Sequence, residues 1–153
     1  MFNLPRDPST SYIKRVVGLP GDRVQMIHGV LHINGEPMKR ERVKDFVETD
    51  GGGRRTTGKQ WRETLPNGVS YTTLDLQDDS YYDNTGVYEV PAGHYFVMGD
   101  NRDNSQDSRA LSQVGYIPFE NLVGRADIII FSKDREAPDE RAIRFDRIGM
   151  KIR

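Results

Sequence analysis

Two segments of the sequence carry side chains that could do chemistry, and the first is centred on Lys14. This lysine lies in a short β-branched run, residues 12–17, that stops at a glycine- and proline-rich turn. A lysine among apolar strand residues is either a gatekeeper at a sheet edge, the more frequent case, or an amine shielded from water. Shielding lowers the pKa, and a fall from about 10.4 to 7–8 would make Lys14 a general base.

The second segment follows an apolar strand and is dense in hydrogen-bonding side chains. It contains Asp100, Asn101, Arg102, Asp103, Asn104, Ser105, Asp107, Ser108 and Arg109. One interpretation is a surface turn held by bonds from side chains to the backbone. The other is a buried network, in which carboxylates pair with arginines and a hydroxyl orients a neighbouring group. Composition alone does not decide between them.

Three other possible functional motifs each lack a residue or pattern that their function requires. Residues 53–60 resemble a phosphate loop, but a glutamine replaces the Ser/Thr that would hold magnesium. A calcium loop starting at Asp100 lacks both the turn glycine and the bidentate glutamate. His94, Ser105 and Asp107 supply the residue types of a Ser-His-Asp triad, but no nucleophile-elbow pattern surrounds the serine. We therefore expect His94 to be a half-buried strand residue.

Composition narrows the possible functions further. The 153 residues include 22 Lys and Arg against 23 Asp and Glu, a net charge of −1, which argues against a nucleic-acid partner. The absence of cysteine excludes disulfides, thiolate catalysis and sulfur-based zinc sites, and three histidines offer little for another metal. There is no apolar run of about 20 residues and no leader-like N-terminus, so we expect a soluble chain.

The pattern of apolar residues predicts a mainly β protein. No 3.6-residue periodicity persists, and short apolar runs alternate with turn residues. Strands are predicted at 12–17, 94–98 and 123–131, hairpins at 23–33 and 61–74, and one helical turn within 117–122. Residues 38–58 have few apolar anchors, so their glycine-rich centre is predicted to be mobile.

Both chemical segments resemble signature blocks of bacterial type I signal peptidases, also called leader peptidases. The blocks are Tyr-Ile-Lys-Arg-Val-Val-Gly-Leu-Pro-Gly-Asp at 12–22 and Gly-Asp-Asn-Arg-Asp-Asn-Ser-Gln-Asp-Ser-Arg at 99–109, and residues 114–126 and 145–149 resemble the closing segments. The resemblance implies a signal-peptidase/LexA-like complex β fold. Its catalytic core would comprise residues 1–37 and 87–153, with an inserted, partly flexible β subdomain at 38–86.

The function that the resemblance implies is a serine–lysine endopeptidase. It would remove signal peptides from exported preproteins at the outer, periplasmic face of the bacterial cytoplasmic membrane, with no metal or organic cofactor. Lys14 would be the general base, and Ser105 would orient it. A supporting network would comprise Asp100, Asn101, Arg102, Asn104, Asp107 and Arg109, with the last two as a salt-bridged pair. Ser11, Tyr12 and Ile13 would line the substrate groove.

One departure from the family pattern concerns the nucleophile. In that family the nucleophilic serine lies upstream, in a Ser-Met-x-Pro block after a membrane anchor, and this sequence has no such block; Ser9 and Ser11 lack its context. We therefore expect a fragment without its anchor that carries the base but no nucleophile. We expect it not to cleave peptides alone, and to self-associate through apolar surface left exposed.

Two other function classes stay open at this point. The first is a serine–lysine autoprotease domain of the repressor type, although no helix-turn-helix pattern is present. The second is a non-enzymatic, β-rich binding module in which residues 100–109 form only a structured surface loop. A pKa of Lys14 near its free value would favour the module, and a strongly lowered pKa would favour the peptidase.

Overall fold

The fold is described from a computed structural model, which covers residues 1–49, 51–133 and 143–152. Residues 134–142 and 153, which the predicted catalytic core includes, lie outside the described residues. Within them the prediction of a mainly β protein is confirmed, because thirteen strands are joined by turns and by two short 3-10 turns. The strands are β1 (Phe2–Leu4), β2 (Asp7–Tyr12), β3 (Arg15–Gly18), β4 (Arg23–Ile27), β5 (Val30–Ile33), β6 (Glu36–Pro37), β7 (Lys39–Arg42), β8 (Phe46–Thr49), β9 (Arg55–Thr64), β10 (Ser70–Asp75), β11 (Tyr88–Glu89), β12 (His94–Met98) and β13 (Ile117–Pro118).

The strands form small antiparallel sheets. Strand β1 pairs with β2, and β12 lies between β3 and β13. A third sheet has the order β11-β4-β5-β6, and in the fourth β9 pairs with β7, β8 and β10. Within the described residues, no helix is long and apolar enough to cross a bilayer.

Strand β12 lies between the two apolar cores and ends at the polar loop. Because side chains alternate along a strand, Phe96 and Met98 enter the larger core while Val97 enters the smaller one, and all three are buried. The other buried members of the larger core are Val17, Val24, Met26, Leu31, Ile33, Met38 and Val90, and those of the smaller are Phe2, Val114 and Ile117. Because β12 is buried on both faces, its end is held in place, and so is the start of the polar loop formed by residues 99–109.

The predicted hairpins are confirmed, and their turns show why local sequence was sufficient. Strands β4 and β5 are joined by His28 and Gly29, with φ angles of 47° and 72°, which match a tight hairpin turn. Strands β9 and β10 are joined through Gly68, whose φ is 81°. Strand β12 and the helical turn, observed as a 3-10 turn at Phe119–Asn121, are also confirmed.

The single strand predicted over residues 12–17 is wrong. Strand β2 ends at Tyr12 and β3 begins at Arg15, so Ile13 and Lys14 lie between two strands. The interruption arises because the chain changes sheets here: β2 pairs with β1, whereas β3 pairs with β12, with Arg15 opposite Met98. Lys14 is therefore a junction residue rather than a member of a regular strand.

The strand predicted over residues 123–131 is also wrong. The segment forms only an isolated bridge between Ile128 and Lys151, and Ile130 and Phe131 are 82% and 60% exposed. A strand needs a neighbour that supplies its ladder of hydrogen bonds. Residues 127–129 do exchange backbone hydrogen bonds with residues 149–152, but within the described residues this contact does not extend beyond one bridge into a ladder. Apolar composition alone therefore misled the prediction.

Residues 38–58 contain more strand than their composition predicts. Strands β7 and β8 and the first part of β9 all fall in this segment. Ladder bonds from β9 to three partners stabilise them where apolar anchors are few. Mobility of the glycine-rich centre stays a prediction, and so does the division into a core and an inserted subdomain at 38–86.

Candidate active site

The junction between β2 and β3 places Lys14 against the loop that follows β12. Its Nζ donates a hydrogen bond to Ser105 Oγ at 2.8 Å, and both side chains are half-buried. Gly99 forms the floor beneath them. A Cβ added to Gly99 would lie 2.1 Å from Ser105 Oγ and 3.4 Å from Lys14 Nζ, so only glycine leaves room for the pair.

The surroundings of Lys14 make its amine easier to deprotonate. Burial is the largest effect and lowers its pKa below the ordinary value of 10.5, with a further lowering from the charge of Arg109. The carboxylates of Asp107 and Asp100 act in the opposite direction and do not cancel the fall. The direction of the pKa shift is the one that a general base requires.

Asp107 and Arg109 form the salt-bridged pair that the sequence predicts. The guanidinium Nε and Nη2 of Arg109 donate to the two Asp107 oxygens at 2.9 and 2.8 Å, and both residues are buried. The backbone N–H of Gly99 donates to the same carboxylate at 3.0 Å. Burial raises the pKa of Asp107, but these bonds outweigh it and hold the pKa below its usual value. Asp107 is therefore a fixed anion that holds both ends of the loop.

Asp100, Asn101 and Asn104 belong to the loop without contacting the amine. The Asp100 carboxylate accepts two hydrogen bonds from Arg15, at 2.8 and 2.9 Å. The side-chain oxygen of Asn101 accepts from the backbone N–H of Asn104 at 3.3 Å, whereas the Asn104 side chain is exposed. These three residues thus shape the loop, and their supporting role in catalysis stays a prediction.

Arg102 lies in a buried cluster whose other members the sequence analysis missed. Its guanidinium donates to both oxygens of Glu63, at 2.5 and 3.2 Å, and the hydroxyl of Tyr71 donates to the same carboxylate at 2.5 Å. The missed signal was the alternation along the end of β9, where Glu63 lies two residues after Trp61 and two before Leu65, the residue that follows the strand. A carboxylate on an apolar face requires a buried cation.

The predicted substrate residues lie next to the lysine. Ser11 Oγ donates to Asn3 Oδ1 at 2.7 Å, Ile13 is exposed, and the Tyr12 ring centre lies 5.7 Å from Lys14 Nζ. Among the described residues β1 is the one ladder partner of β2, so the other edge of β2 has unpaired backbone groups. That edge could accept an extended peptide.

The Ser-His-Asp alternative is not assembled. His94 is half-buried, as predicted, and its Nδ1 lies 2.9 Å from the carbonyl oxygen of Ala92. It opens β12, whereas Ser105 and Asp107 follow the other end of that strand. Nowhere in residues 1–49, 51–133 and 143–152 do three acidic or histidine side chains form a group suited to a metal ion.

Comparison with known proteins identifies close relatives of this chain. The family model described as "Signal peptidase, peptidase S26" matches residues 1–131. Signal peptidase I of Rickettsia typhi is 43% identical over 138 residues, which are 86% of this chain and 50% of that protein. Signal peptidase I of Rickettsia canadensis is 41% identical with the same coverage. The chain therefore spans about half the length of the curated relatives that it matches.

Among solved structures, the chain is similar to a signal peptidase I from Enterococcus faecalis V583. The two are 25% identical, the match covers 80% of this chain and 87% of that one, and the TM-score is 0.43.

The contact between Gly99 and Ser105 leads to a first prediction. Gly99→Ala should lower the free energy of unfolding by about 1–3 kcal/mol, the usual cost of overpacking. The new methyl group would lie 2.6 Å from Ser105 Cβ as well as 2.1 Å from Oγ, so rotation of the hydroxyl cannot relieve the clash. Denaturant titration measures the change. A second substitution, Ser105→Gly, should recover part of the loss.

Gly124→Ala is the matched control, because nothing lies within 4 Å of the added methyl group. Its effect should stay within about 0.5 kcal/mol, as for other exposed positions. Equal stability of Gly99→Ala and the unsubstituted chain would contradict the described contact.

Proposed function

This chain belongs to the signal peptidase family, peptidase S26, and we propose that it supplies the general base of a serine endopeptidase that removes signal peptides from exported preproteins. The observation that carries the proposal is the half-buried Lys14 amine, hydrogen-bonded to Ser105 above Gly99. In the proposed setting the catalytic site faces the outer side of the bacterial cytoplasmic membrane. No cofactor takes part.

The proposed chemistry uses the lone pair of a neutral Lys14 amine. One N–H of the amine is donated to Ser105, which turns the lone pair toward the side where a nucleophile would approach. As a serine hydroxyl attacks the scissile carbonyl carbon, the amine accepts the hydroxyl proton, and it then returns that proton to the leaving amine. Ser105 touches the base rather than the substrate, so it is a positioning residue.

The charges near Lys14 suit both halves of this cycle. Burial and Arg109 favour the neutral amine, which must accept the first proton. Asp107 and Asp100 favour the ammonium form that exists after the attack. The amine can therefore gain and lose a proton without the large cost of an isolated buried charge.

We propose that the nucleophile is not one of the serines near the lysine. Ser9 Oγ donates to Asp7 at 2.5 Å and Ser11 Oγ donates to Asn3 at 2.7 Å, so both hydroxyls are engaged away from Lys14. Among the described residues, the hydroxyl that contacts Lys14 Nζ is that of Ser105.

The substrate would bind as an added strand. The edge of β2 that does not pair with β1 offers backbone groups to an extended peptide. Ser11 and Tyr12 are the last residues of β2, and Ile13 follows them directly before Lys14. The peptide bond to be cut would then lie within reach of the amine.

Cleavage in a chimera tests the proposal. This chain would replace the matching segment of Rickettsia typhi signal peptidase I, and hydrolysis of a preprotein would be measured. Lys14→Met keeps a chain of similar size but removes the base, so the rate should fall by roughly 10²–10⁴-fold. The 153-residue chain by itself should not cleave the preprotein.

His94→Ala in the same chimera is the control, and it should leave most of the activity. Full activity of Lys14→Met, or loss of activity in His94→Ala alone, would contradict the assignment of the base. Cleavage by the isolated chain would overturn the proposal for the nucleophile.

We also propose that the isolated chain self-associates through the apolar segment 123–131. Ile130 and Phe131 are exposed there, and a contiguous exposed apolar segment favours association with other chains. Sedimentation at increasing concentration should show dimers or larger species, and replacing both residues by serine should weaken them. A monomer at every concentration would contradict this proposal.

A further inference from the structure

Glu63, Tyr71 and Arg102 form a buried cluster outside the proposed proton path. Their exposed fractions are 1%, 6% and 6%. Arg102 donates to both Glu63 oxygens, Tyr71 donates to one of them, and Arg102 Nη2 lies 3.4 Å from the Tyr71 oxygen. Burial and the charge of Glu63 raise the pKa of Tyr71, so its hydroxyl keeps its proton and remains a donor.

Tyr71 also reaches the segment that carries the lysine. The guanidinium carbon of Arg15 lies 3.8 Å from the centre of the Tyr71 ring, within cation–π distance. Arg15 directly follows Lys14, and its guanidinium makes the two bonds to Asp100. The Tyr71 ring thus supports the arginine that ties the lysine junction to the start of the polar loop.

Arg102 reaches the serine side of the pair. Its backbone carbonyl accepts a hydrogen bond from Arg109 Nη2 at 2.6 Å, and Arg109 holds Asp107. The backbone N–H of Leu74 donates a hydrogen bond to the carbonyl oxygen of Asp100, and the backbone N–H of Arg102 donates to the carbonyl oxygen of Leu74, both at 2.8 Å. These two bonds attach the polar loop to β10. Strands β9 and β10 therefore contact Arg15, which follows Lys14, and Arg102, which lies in the loop that carries Ser105.

We propose that Glu63 and Tyr71 are positioning residues for the Lys14–Ser105 pair. Their cluster fixes Arg102 and Arg15, and those two arginines hold the chain segments that bring the hydroxyl and the amine together. Both residues lie in the segment 38–86, which resembles the variable insertion of the family, so that segment would act as a support of the active site. The catalytic meaning of this proposal rests on the proposed function, but its test needs no cleavage.

The test is the titration of the Lys14 amine in the 153-residue chain. The side-chain carbon next to Nζ is followed by NMR in ¹³C-lysine protein, and Lys14→Met identifies its signal. Ser105 and the Tyr12 ring lie against the amine, and the charges that act on it are those of Asp107, Arg109 and Asp100. A change at Glu63 or Tyr71 should therefore act on Lys14 through position.

Tyr71→Phe is the decisive variant. It removes the hydroxyl that Glu63 needs but keeps the aromatic ring under Arg15 and changes no charge at neutral pH. Loosening of the loop should admit water to the amine and raise its pKa by about one unit, a common size for environmental shifts. Tyr81→Phe is the matched control, because Tyr81 is 87% exposed, and it should leave the pKa unchanged.

Glu63→Gln gives a second, sign-based test. Removal of a negative charge would by itself lower the pKa of Lys14, whereas loss of positioning raises it, so a rise separates the two causes. Glu41→Gln, in the exposed Lys39–Glu41 ion pair of the same sheet, is its control and should have no effect. If Glu63→Gln does not fold because Arg102 loses its buried partner, the decision rests on Tyr71→Phe.

The outcomes separate this proposal from the proposed function. An ordinary Lys14 pKa in the unsubstituted chain would contradict the base role itself. A lowered pKa that neither Tyr71→Phe nor Glu63→Gln raises would overturn only the positioning role. Failure of Tyr71→Phe to fold would also overturn it, since the residue would then be needed for the fold as a whole.

Discussion

An amine can serve as a base near neutral pH only where water does not stabilise its protonated form, and this requirement governs the site. Lys14 meets it at one point, where Ser105 Oγ lies 2.8 Å from Nζ above a glycine. The contact requires glycine at position 99, because a side chain there would occupy the space of the Ser105 hydroxyl and crowd the Lys14 amine. A non-enzymatic binding module would have no use for a shielded amine, so this contact favours the peptidase over that alternative.

The rest of the structure serves to hold that contact. Two apolar cores fix β12 from both faces, and the buried Asp107–Arg109 pair fixes the loop that leaves it. A bidentate Arg15–Asp100 pair joins the lysine segment to the same loop. Buried ion pairs add little net stability to the fold, but removing one partner is strongly destabilising because it leaves an uncompensated buried charge. Such pairs are therefore suited to fixing geometry.

Sequence reasoning succeeded where the information was local. The hairpins depend on turn residues such as His28-Gly29. For the site, composition left the role of residues 99–109 open, and it was the resemblance of two short blocks that selected Lys14 and Ser105, whose contact the structure shows. It failed where distant partners decide. The break at Ile13 depends on a change of sheet, the missing strand at 123–131 depends on a neighbour, and Glu63 meets Arg102 across 39 positions of sequence. Only alternation in β9 hinted at that buried carboxylate.

The most direct test of the central claim is competitive acylation of the chain across pH, comparing Lys14 with exposed Lys44 in the same molecule. Only neutral amines react, so the midpoint of each reactivity curve gives the pKa independently of access. The account predicts that the Lys14 midpoint lies below that of Lys44, because burial lowers the pKa of Lys14. Equal midpoints would mean that the Lys14 amine is fully hydrated, and the base role would have to be abandoned.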